Sequence, residues 1–266
     1  MIPFVHLHVH SQYSILDGMA PVKALVDKAI ADGMRGMAIT DHGNMYGIKE
    51  FHDYVGKLNK KRGDDEKFKP IFGCEVYVAW RDRNDRSDKR DNGNHLILLA
   101  KNLKGYKNLI KIVSHAWTEG FYFHPRTDHS ELEKYHEGII CCSACLGGEV
   151  PQLIMGGQMN QARETIQWFK SVFGEDYYLE LQRHKATVAR ANHETYERQC
   201  QVNEALIQFA KELDIKLICT NDSHFVNEDD ADAHERLICV STGRKLNDEN
   251  VMLYSKQEWF KTQEEM

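Results

Sequence analysis

The chain has 266 residues, 42% of them hydrophobic and 28% charged, and its net charge is −6 with histidine counted as neutral. The length allows one large α/β domain or two smaller ones, and the acidic balance gives no support for tight, independent binding to DNA. No apolar run approaches the roughly 20 residues that cross a bilayer, and the start of the chain lacks the features of a secretory signal. We therefore expect a cytoplasmic protein with no membrane partner.

Short apolar runs alternate with amphipathic stretches along the chain. Helical patterns lie between most of these runs, and the first of them, residues 21–33, has Pro21 near its start and Gly33 at its end. Strands that are each followed by a helix indicate parallel βα units that close into a barrel-like sheet. The predicted strands are residues 4–10, 36–40, 70–79, 95–100, 138–144, 177–182 and 216–221.

Two polar segments lie outside this alternation. Residues 80–94 mix both charges without apolar periodicity, which is typical of an exposed loop that could rim a cleft. The pattern of residues 255–266 predicts the first turns of a helix. We expect residues 1–266 to form a single domain, with residues 255–266 beginning the connection to a further one.

The seven cysteines are odd in number, and several lie inside apolar runs, so we expect reduced thiols rather than a disulfide framework. Cys74, Cys141 and Cys142 are predicted to lie in the core.

Potential metal ligands follow or end most of the predicted strands. Residues two apart on a strand point to the same face, so His8 and His10 could reach one metal, and Asp222 and His224 could do the same. In barrel folds the carboxyl ends of the strands form the active-site face. The residues concerned are His8, His10, Asp17, His42, Glu75, His95, Cys145, Asp222 and His224.

Histidine, carboxylate and thiolate groups suit zinc, manganese or iron. More than six such ligands exceed the needs of one ion, so the sequence predicts a multinuclear site. Closely spaced metals polarise phosphoryl oxygens and activate water, which indicates phosphoester hydrolysis.

The motifs HLHVHS, ITDHG, GCEVYV, NHLILLAKN and TNDSHF resemble those of the PHP (polymerase and histidinol phosphatase) superfamily. Longer stretches such as HLILLAKNLKGYKNL are similar to the branch found at the N-terminus of the alpha subunits of bacterial DNA polymerase III. The resemblance covers essentially the whole chain. It implies an α/β fold, a distorted (β/α)7 barrel with a cluster of three divalent metal ions at the C-terminal face of the strands.

The resemblance also implies how the ligands are shared among the three metals, and all nine positions carry a side chain able to bind one. Cys145 stands where free-standing relatives often have histidine, which favours zinc at the second site. The implied sets are His8, His10, Glu75 and Asp222 for the first metal; Glu75, His95 and Cys145 for the second; and Asp17, His42 and His224 for the third.

Other polar residues are assigned supporting or structural roles. His6 shares a face with His8 and is either a support for the ligands or structural, and Asp41 is expected to support a ligand or cap a helix. Arg183 is a candidate for contact with a substrate phosphate, and Arg126 is a weaker one. The histidines without strand-end placement are predicted to lie at the surface: His115, His124, His129 and His136.

The resemblance implies a metal-dependent phosphoesterase that uses water held and activated by the cluster, acting as a 3′–5′ exonuclease on a DNA 3′ end. The parent chain would be a DNA-directed DNA polymerase, a nucleotidyltransferase, whose polymerising site lies outside these residues. The expected partners are the remainder of that chain, the DNA 3′ end and a proofreading subunit. The alternatives are a catalytically silent, metal-stabilised scaffold and a free-standing small-molecule phosphatase.

Overall fold

The alternating apolar and amphipathic stretches form alternating strands and helices in the computed structural model, which describes residues 3–266. The strands are β1 (Gly36–Ile39), β2 (Lys69–Val78), β3 (Asn94–Ala100), β4 (Phe121–Tyr122), β5 (His124–Thr127), β6 (Ile139–Cys142), β7 (Tyr177–Leu181) and β8 (Lys216–Cys219). The helices are α1 (Val22–Ala31), α2 (Ile48–Asn59), α3 (Leu103–Thr118), α4 (His129–Tyr135), α5 (Glu149–Met155), α6 (Met159–Phe173), α7 (Glu194–Leu213) and α8 (Ala231–Thr242). Within residues 3–266, no helix combines the length and apolar content needed to cross a membrane.

The strands form one curled sheet in the order β4-β5-β2-β3-β6-β7-β8, with β1 paired to β2. Strand β3 runs antiparallel to both of its neighbours, β2 and β6, so the expectation of uniformly parallel strands is wrong there. The physical reason is the connection: a loop without a helix joins β2 to β3, and a direct return lays the next strand beside the first in the opposite direction. The predicted α/β class with a barrel-like sheet is confirmed.

Residues 4–10 do not form the regular strand that was predicted, although they lie in the place of one. Val9 makes an isolated parallel bridge to Ser223, and the His10 N–H donates to the Ser223 carbonyl at 2.8 Å. On the other side the Thr40 N–H donates to the Val9 carbonyl, also at 2.8 Å. The segment is extended but divides its few hydrogen bonds between two neighbours, and so it spans the gap between β1 and the chain after β8.

The core lies on both faces of the sheet because successive strand residues point in opposite directions. Ile97 and Leu99 of β3 fill the inside of the curl, whereas Leu98 packs against the surrounding helices. Cys74, Cys141 and Cys142 are buried, as predicted, and none of the seven cysteines is in a disulfide.

Residues 255–266 form no helix, which corrects the prediction for them: the segment is irregular around a bridge at Trp259 and ends in a turn, where the Met266 N–H donates to the Thr262 carbonyl at 3.1 Å. Trp259 bridges Phe225, and Phe260 is fully buried. The side-chain amide of Asn221 donates to the Trp259 carbonyl at 2.7 Å. Burial of the two aromatic rings against the barrel fixes the path of the segment, and this long-range packing outweighs its local helical pattern.

A buried arginine anchors the loop of residues 80–94. The Arg126 guanidinium is fully buried and donates to the Asp91 carboxylate at 2.9 Å and to the carbonyls of Arg83 and Asp85 at 3.0 and 2.8 Å. The loop is largely exposed, as predicted, but Asp91 is buried with its partner. Arg126 is therefore a structural anchor, and its prediction as a phosphate contact is wrong.

Candidate metal centre

Glu75 lies at the centre of the predicted ligands and is fully buried in β2. Its Oε2 is 2.7 Å from Nε2 of His8 and 3.6 Å from Nε2 of His10. Its Oε1 is 2.8 Å from Nδ1 of His42 and 2.7 Å from Nδ1 of His95. One carboxylate thus reaches two separate groups of imidazoles, as a bridging ligand must.

The first group consists of His8, His10, Glu75 and Asp222, whose ligand atoms all lie within 4.8 Å of one another. The two Nε2 atoms are 3.2 Å apart, and each is close to Asp222 Oδ1, at 3.0 Å from His8 and 3.1 Å from His10. Ligand bonds of about 2.0–2.1 Å in a tetrahedral site separate neighbouring ligand atoms by about 3.3 Å. The group therefore has the dimensions of a single metal site.

The second group contains His42, Glu75 and His95. Cys145 adjoins it, with its Sγ 3.5 Å from His95 Nδ1. Burial raises the pKa of the Cys145 thiol well above its usual value. Because the thiolate is the form that binds metals, a cation held by His95 and Glu75 would have to stabilise it.

The third group contains His10, His42 and His224. The ring of His10 stacks on both of the others, with centroids 4.0 Å from His42 and 4.3 Å from His224. Asp17 completes the group, since its Oδ2 lies 2.9 Å from His42 Nε2 and 3.8 Å from His224 Nε2. His42 therefore adjoins two of the groups, one through each ring nitrogen.

Several of these atoms are buried without a hydrogen-bond partner: Asp17 Oδ1, His42 Nδ1, Glu75 Oε1 and Asp222 Oδ1. His42 Nδ1 and Glu75 Oε1 are only 2.8 Å apart, yet their relative orientation is not that of a hydrogen bond. Buried polar atoms in native proteins are nearly always satisfied, and atoms that share an ion approach each other in this way. The residues present therefore fit divalent metal ions.

The local electrostatics keep the carboxylates charged despite their burial. Burial acts to raise the pKa of Glu75, but His95 and His42 outweigh it and hold that pKa well below the usual value. Burial also opposes protonation of His8, but Asp222 and Glu180 raise its pKa well above 6.5. In the metal-free protein, a proton on His8 thus competes with a cation for the ring.

Glu180 on β7 supports His8, and the sequence reasoning did not assign it a role. The His8 Nδ1–H donates to Glu180 Oε1 at 2.6 Å, which leaves Nε2 of the ring for the cluster. Gln182 and Thr220 also donate to this oxygen. A carboxylate behind a ligating histidine fixes its tautomer and raises its basicity. One feature of the sequence could have indicated this role: Glu180 lies within the apolar run of residues 177–182, and a charged side chain buried in such a strand requires a partner.

Asp41 supports His10 through a serine. The Asp41 carboxylate accepts from the hydroxyls of Ser11 and Ser14, and Ser14 Oγ lies 3.0 Å from His10 Nδ1. This arrangement again leaves Nε2 of the ring for the cluster. A supporting role for Asp41 requires this geometry, and it stays a prediction.

His6 does not support the ligands through a hydrogen bond. Its Nε2–H donates to the Lys261 carbonyl at 2.8 Å, and its ring packs between Phe4 and Phe260. Burial lowers the pKa of His6 to about 4, so the ring is neutral at pH 7. This geometry is that of the structural alternative, in which His6 fastens the C-terminal segment to the barrel.

A cavity of about 380 Å³ opens over the cluster. Its lining includes Gln182 and His184, whereas Arg183 between them lines a different cavity and donates to the Tyr196 hydroxyl at 2.6 Å. Alternation of side chains after β7 therefore turns Arg183 away from the cluster, and it is no longer a candidate for phosphate contact there.

One of the four histidines predicted at the surface lines this cavity instead. His124 stacks on Tyr77 with ring centroids 4.5 Å apart, and both residues face the cavity. The sequence missed the β4–β5 hairpin that carries His124 to this position. His136 is exposed as predicted, while His115 and His129 are partly exposed and pair with glutamates.

Comparisons with known proteins identify the family. The PHP domain model matches residues 6–184. DNA polymerase III subunit alpha of Borreliella burgdorferi is 45% identical over 99% of this chain and 22% of its own length, and that of Deinococcus radiodurans is 40% identical over 99% and 19%. The chain thus spans about a fifth of the length of these relatives.

Among solved structures, an amidohydrolase from Chromobacterium violaceum has a similar fold, with a TM-score of 0.50 and 14% identity over 85% of this chain and 89% of that one. The resemblance to polymerase III alpha subunits that the motifs predicted is confirmed, and the chain belongs to the PHP domain family.

Proposed function

We propose that this chain is a metal-dependent phosphodiesterase that removes nucleotides from a DNA 3′ end as a 3′–5′ exonuclease. The observation that carries the proposal is that four histidines meet one buried carboxylate, Glu75, beneath an open cavity: His8, His10, His42 and His95. The sequence similarity to DNA polymerase III alpha subunits favours DNA as the substrate.

Three divalent ions would be held by the groups around Glu75, and zinc, manganese and iron all suit the donors. When bound, they would supply polarisation of a phosphoryl oxygen and activation of water. The protein's own contribution is orientation. Glu180 fixes the ring of His8, and Ser14 with Asp41 fixes the ring of His10, so each presents its Nε2 at the cluster.

The cavity walls offer neutral hydrogen-bonding groups, and they also carry the carboxylates of Asp17, Asp222 and Glu258. Among residues 3–266, no lysine or arginine lines the cavity, whereas Gln182, Asn192, Thr195 and Tyr254 do. Neutral groups can orient the sugar and the phosphate without neutralising them. Negative charge on a bound phosphodiester would therefore have to be balanced at the cluster itself, which makes hydrolysis strictly dependent on metal.

The proposal is tested with the 266-residue chain purified without chelator and a single-stranded oligonucleotide labelled so that loss of 3′ nucleotides is visible. Stepwise shortening that disappears in His10→Ala and after metal removal is the expected result. A chain that carries its metals and never shortens the strand would refute the exonuclease. Glu131→Gln provides a matched control because Glu131 pairs with His115 and lies outside the three groups of candidate ligands.

A second candidate function is a metal-stabilised scaffold for the remainder of a polymerase chain and for a proofreading subunit. The observation that favours it is that His8, His10 and Glu75 are completely buried, so that metal held there would stabilise the fold directly. Under this alternative, removing metal lowers the melting temperature although no nuclease activity is found. Either function is consistent with a cytoplasmic location, which we retain as a proposal.

A further inference from the structure

Three exposed aromatic side chains lie at the end of α3 and on the β4–β5 hairpin that follows it, and we call them the aromatic rim: Trp117, Phe121 and Phe123. Their exposed fractions are 42%, 45% and 59%. The rings of Trp117 and Phe121 are stacked, with centroids 5.5 Å apart and an angle of 25° between their planes. A single exposed apolar residue needs no explanation, but a group of large rings held in water marks an interaction surface.

The aromatic rim borders the mouth of the cavity over the metal cluster. The indole N–H of Trp117 donates to the carbonyl of Gly43, at 2.7 Å, directly after the candidate ligand His42. The hairpin that carries the other two rings packs on the same glycine, where a Cβ atom would lie 2.7 Å from the ring of Pro125. His124, the neighbour of Phe123, lines the cavity itself.

The hairpin of β4 and β5 holds its rings outward in a fixed and strained conformation. Phe123 at its tip has a φ of +61°, a left-handed backbone that costs free energy in a phenylalanine. The buried Arg126 stabilises the hairpin, with its guanidinium 5.0 Å from the ring centroid of Tyr122. Gly120 permits the close return of the chain, because a Cβ there would lie 1.9 Å from the Arg126 carbonyl oxygen.

We propose that the aromatic rim stacks the bases of a single-stranded DNA segment whose 3′-terminal phosphodiester lies at the metal cluster. This inference rests on the proposed function and adds how the strand is held. Exposed rings on the segments that adjoin Gly43 and His124 suit bases, because every base presents a π-face. In the part of the chain that the structure describes, no lysine or arginine lines the cavity, so stacking rather than phosphate pairing supplies the affinity.

The consequence is a recognisable binding behaviour. Affinity should depend on the presence of bases but not on their order, since stacking reads no hydrogen-bonding pattern. It should also change little with salt, because few phosphates are neutralised by protein cations.

The test measures equilibrium binding of a fluorescent single-stranded oligonucleotide to the 266-residue chain in the Asp222→Asn background, which prevents cleavage during the measurement. A second oligonucleotide of the same length carries abasic residues at its 3′ end. Trp117→Ala and Phe121→Ala each remove one ring. Phe123→Asn removes the third and suits the left-handed backbone, so this variant should fold at least as well as the parent. Leu103→Asn is the control because Leu103 is 67% exposed and lies at the other end of α3.

We expect each ring variant to raise the Kd for the base-containing strand by about tenfold, from the usual magnitude of base–aromatic stacking. Binding of the abasic strand should be weak in the parent and unchanged by the variants, and Leu103→Asn should bind as the parent does. Equal binding of both strands by the parent and all ring variants would overturn the inference. It would also be overturned if the ring variants abolished self-association of the chain without weakening DNA binding, because the aromatic rim would then be a contact between copies of the chain.

The same binding measurement is independent of hydrolysis. If the chain with Asp222 intact shortens DNA but the ring variants bind normally, the inference is wrong and the proposed function stands. If the ring variants lose binding although no chain shortens DNA, the aromatic rim is a DNA site and the exonuclease proposal is wrong.

Discussion

Substitution of Glu180 by glutamine tests whether the groups behind the imidazoles matter for metal binding. Oε1 of Glu180 accepts from His8 Nδ1 at 2.6 Å and from Gln182 at 3.0 Å. Glutamine has the shape of glutamate but no charge. Its side-chain amide offers these donors one acceptor oxygen, whereas the carboxylate offers two. Loss of such a support typically weakens metal binding ten- to a hundredfold, or by about 1.4–2.8 kcal/mol. We expect a loss in this range at the first group of ligands.

The pH dependence of this loss follows from proton competition. Burial opposes protonation of His8, but Asp222 and Glu180 raise its pKa well above 6.5, so protons compete with metal at neutral pH. Removing the Glu180 charge weakens this competition, and the loss of affinity should therefore grow as the pH is raised.

The assay is competition for zinc with a chromophoric chelator, followed as a function of pH. Glu131→Gln is the matched control, because Glu131 is also a buried glutamate paired with a histidine, His115, at 2.7 Å. Unchanged zinc affinity in Glu180→Gln, in protein whose His10→Ala variant loses zinc, would refute the reasoning.

Three further predictions concern the anchors and the protons of the structure. Arg126→Met should lower the free energy of unfolding by about 3–5 kcal/mol in chemical denaturation, because it removes the cation beside the buried Asp91 carboxylate and the donor to two loop carbonyls. A smaller loss would contradict the anchoring role of Arg126. The pKa of His6 is about 4 in the folded chain against 6.5 in the unfolded chain, so its contribution to the free energy of unfolding is complete above pH 6.5 and falls by up to roughly 3 kcal/mol as the pH drops to 4. In the metal-free His6→Gln variant, the free energy of unfolding should therefore change less with pH over this interval. A pH dependence parallel to that of the unsubstituted chain would disprove the assignment. Calorimetric titration with zinc in two buffers of different ionisation enthalpy should reveal proton release near pH 7, because carboxylates raise the pKa of His8 and His42 despite burial, and an equal heat in both buffers would count against it.

The sequence predicted which residues gather at the ends of the strands better than it predicted the strands themselves. His8 and His10, and Asp222 and His224, meet at the cluster because each pair ends a segment that the sheet brings to one face. The sequence could not predict that residues 4–10 would share their hydrogen bonds between two neighbours, or that β3 would run antiparallel. Both features depend on which segments meet in space, and periodicity carries no information about that.

The same limit explains the residues that were misassigned or missed. Arg126 and Glu180 are polar residues whose buried partners lie far away in the sequence, at 35 and 172 residues from Asp91 and His8. His124 reaches the cavity through a hairpin of two short strands, which is too brief to give a periodic pattern. Residues 255–266 have a helical pattern locally, but burial of their aromatic rings against the barrel decides their conformation.

The most direct test of the central claim is a titration of metal-stripped chain with zinc or manganese while 3′ shortening of a labelled single strand is followed. The account predicts that about three equivalents bind and that shortening rises with occupancy and is absent in His10→Ala and Asp222→Asn. Binding of about three equivalents without shortening of the strand at any occupancy would contradict the phosphodiesterase and leave the metal-stabilised scaffold as the function of this domain.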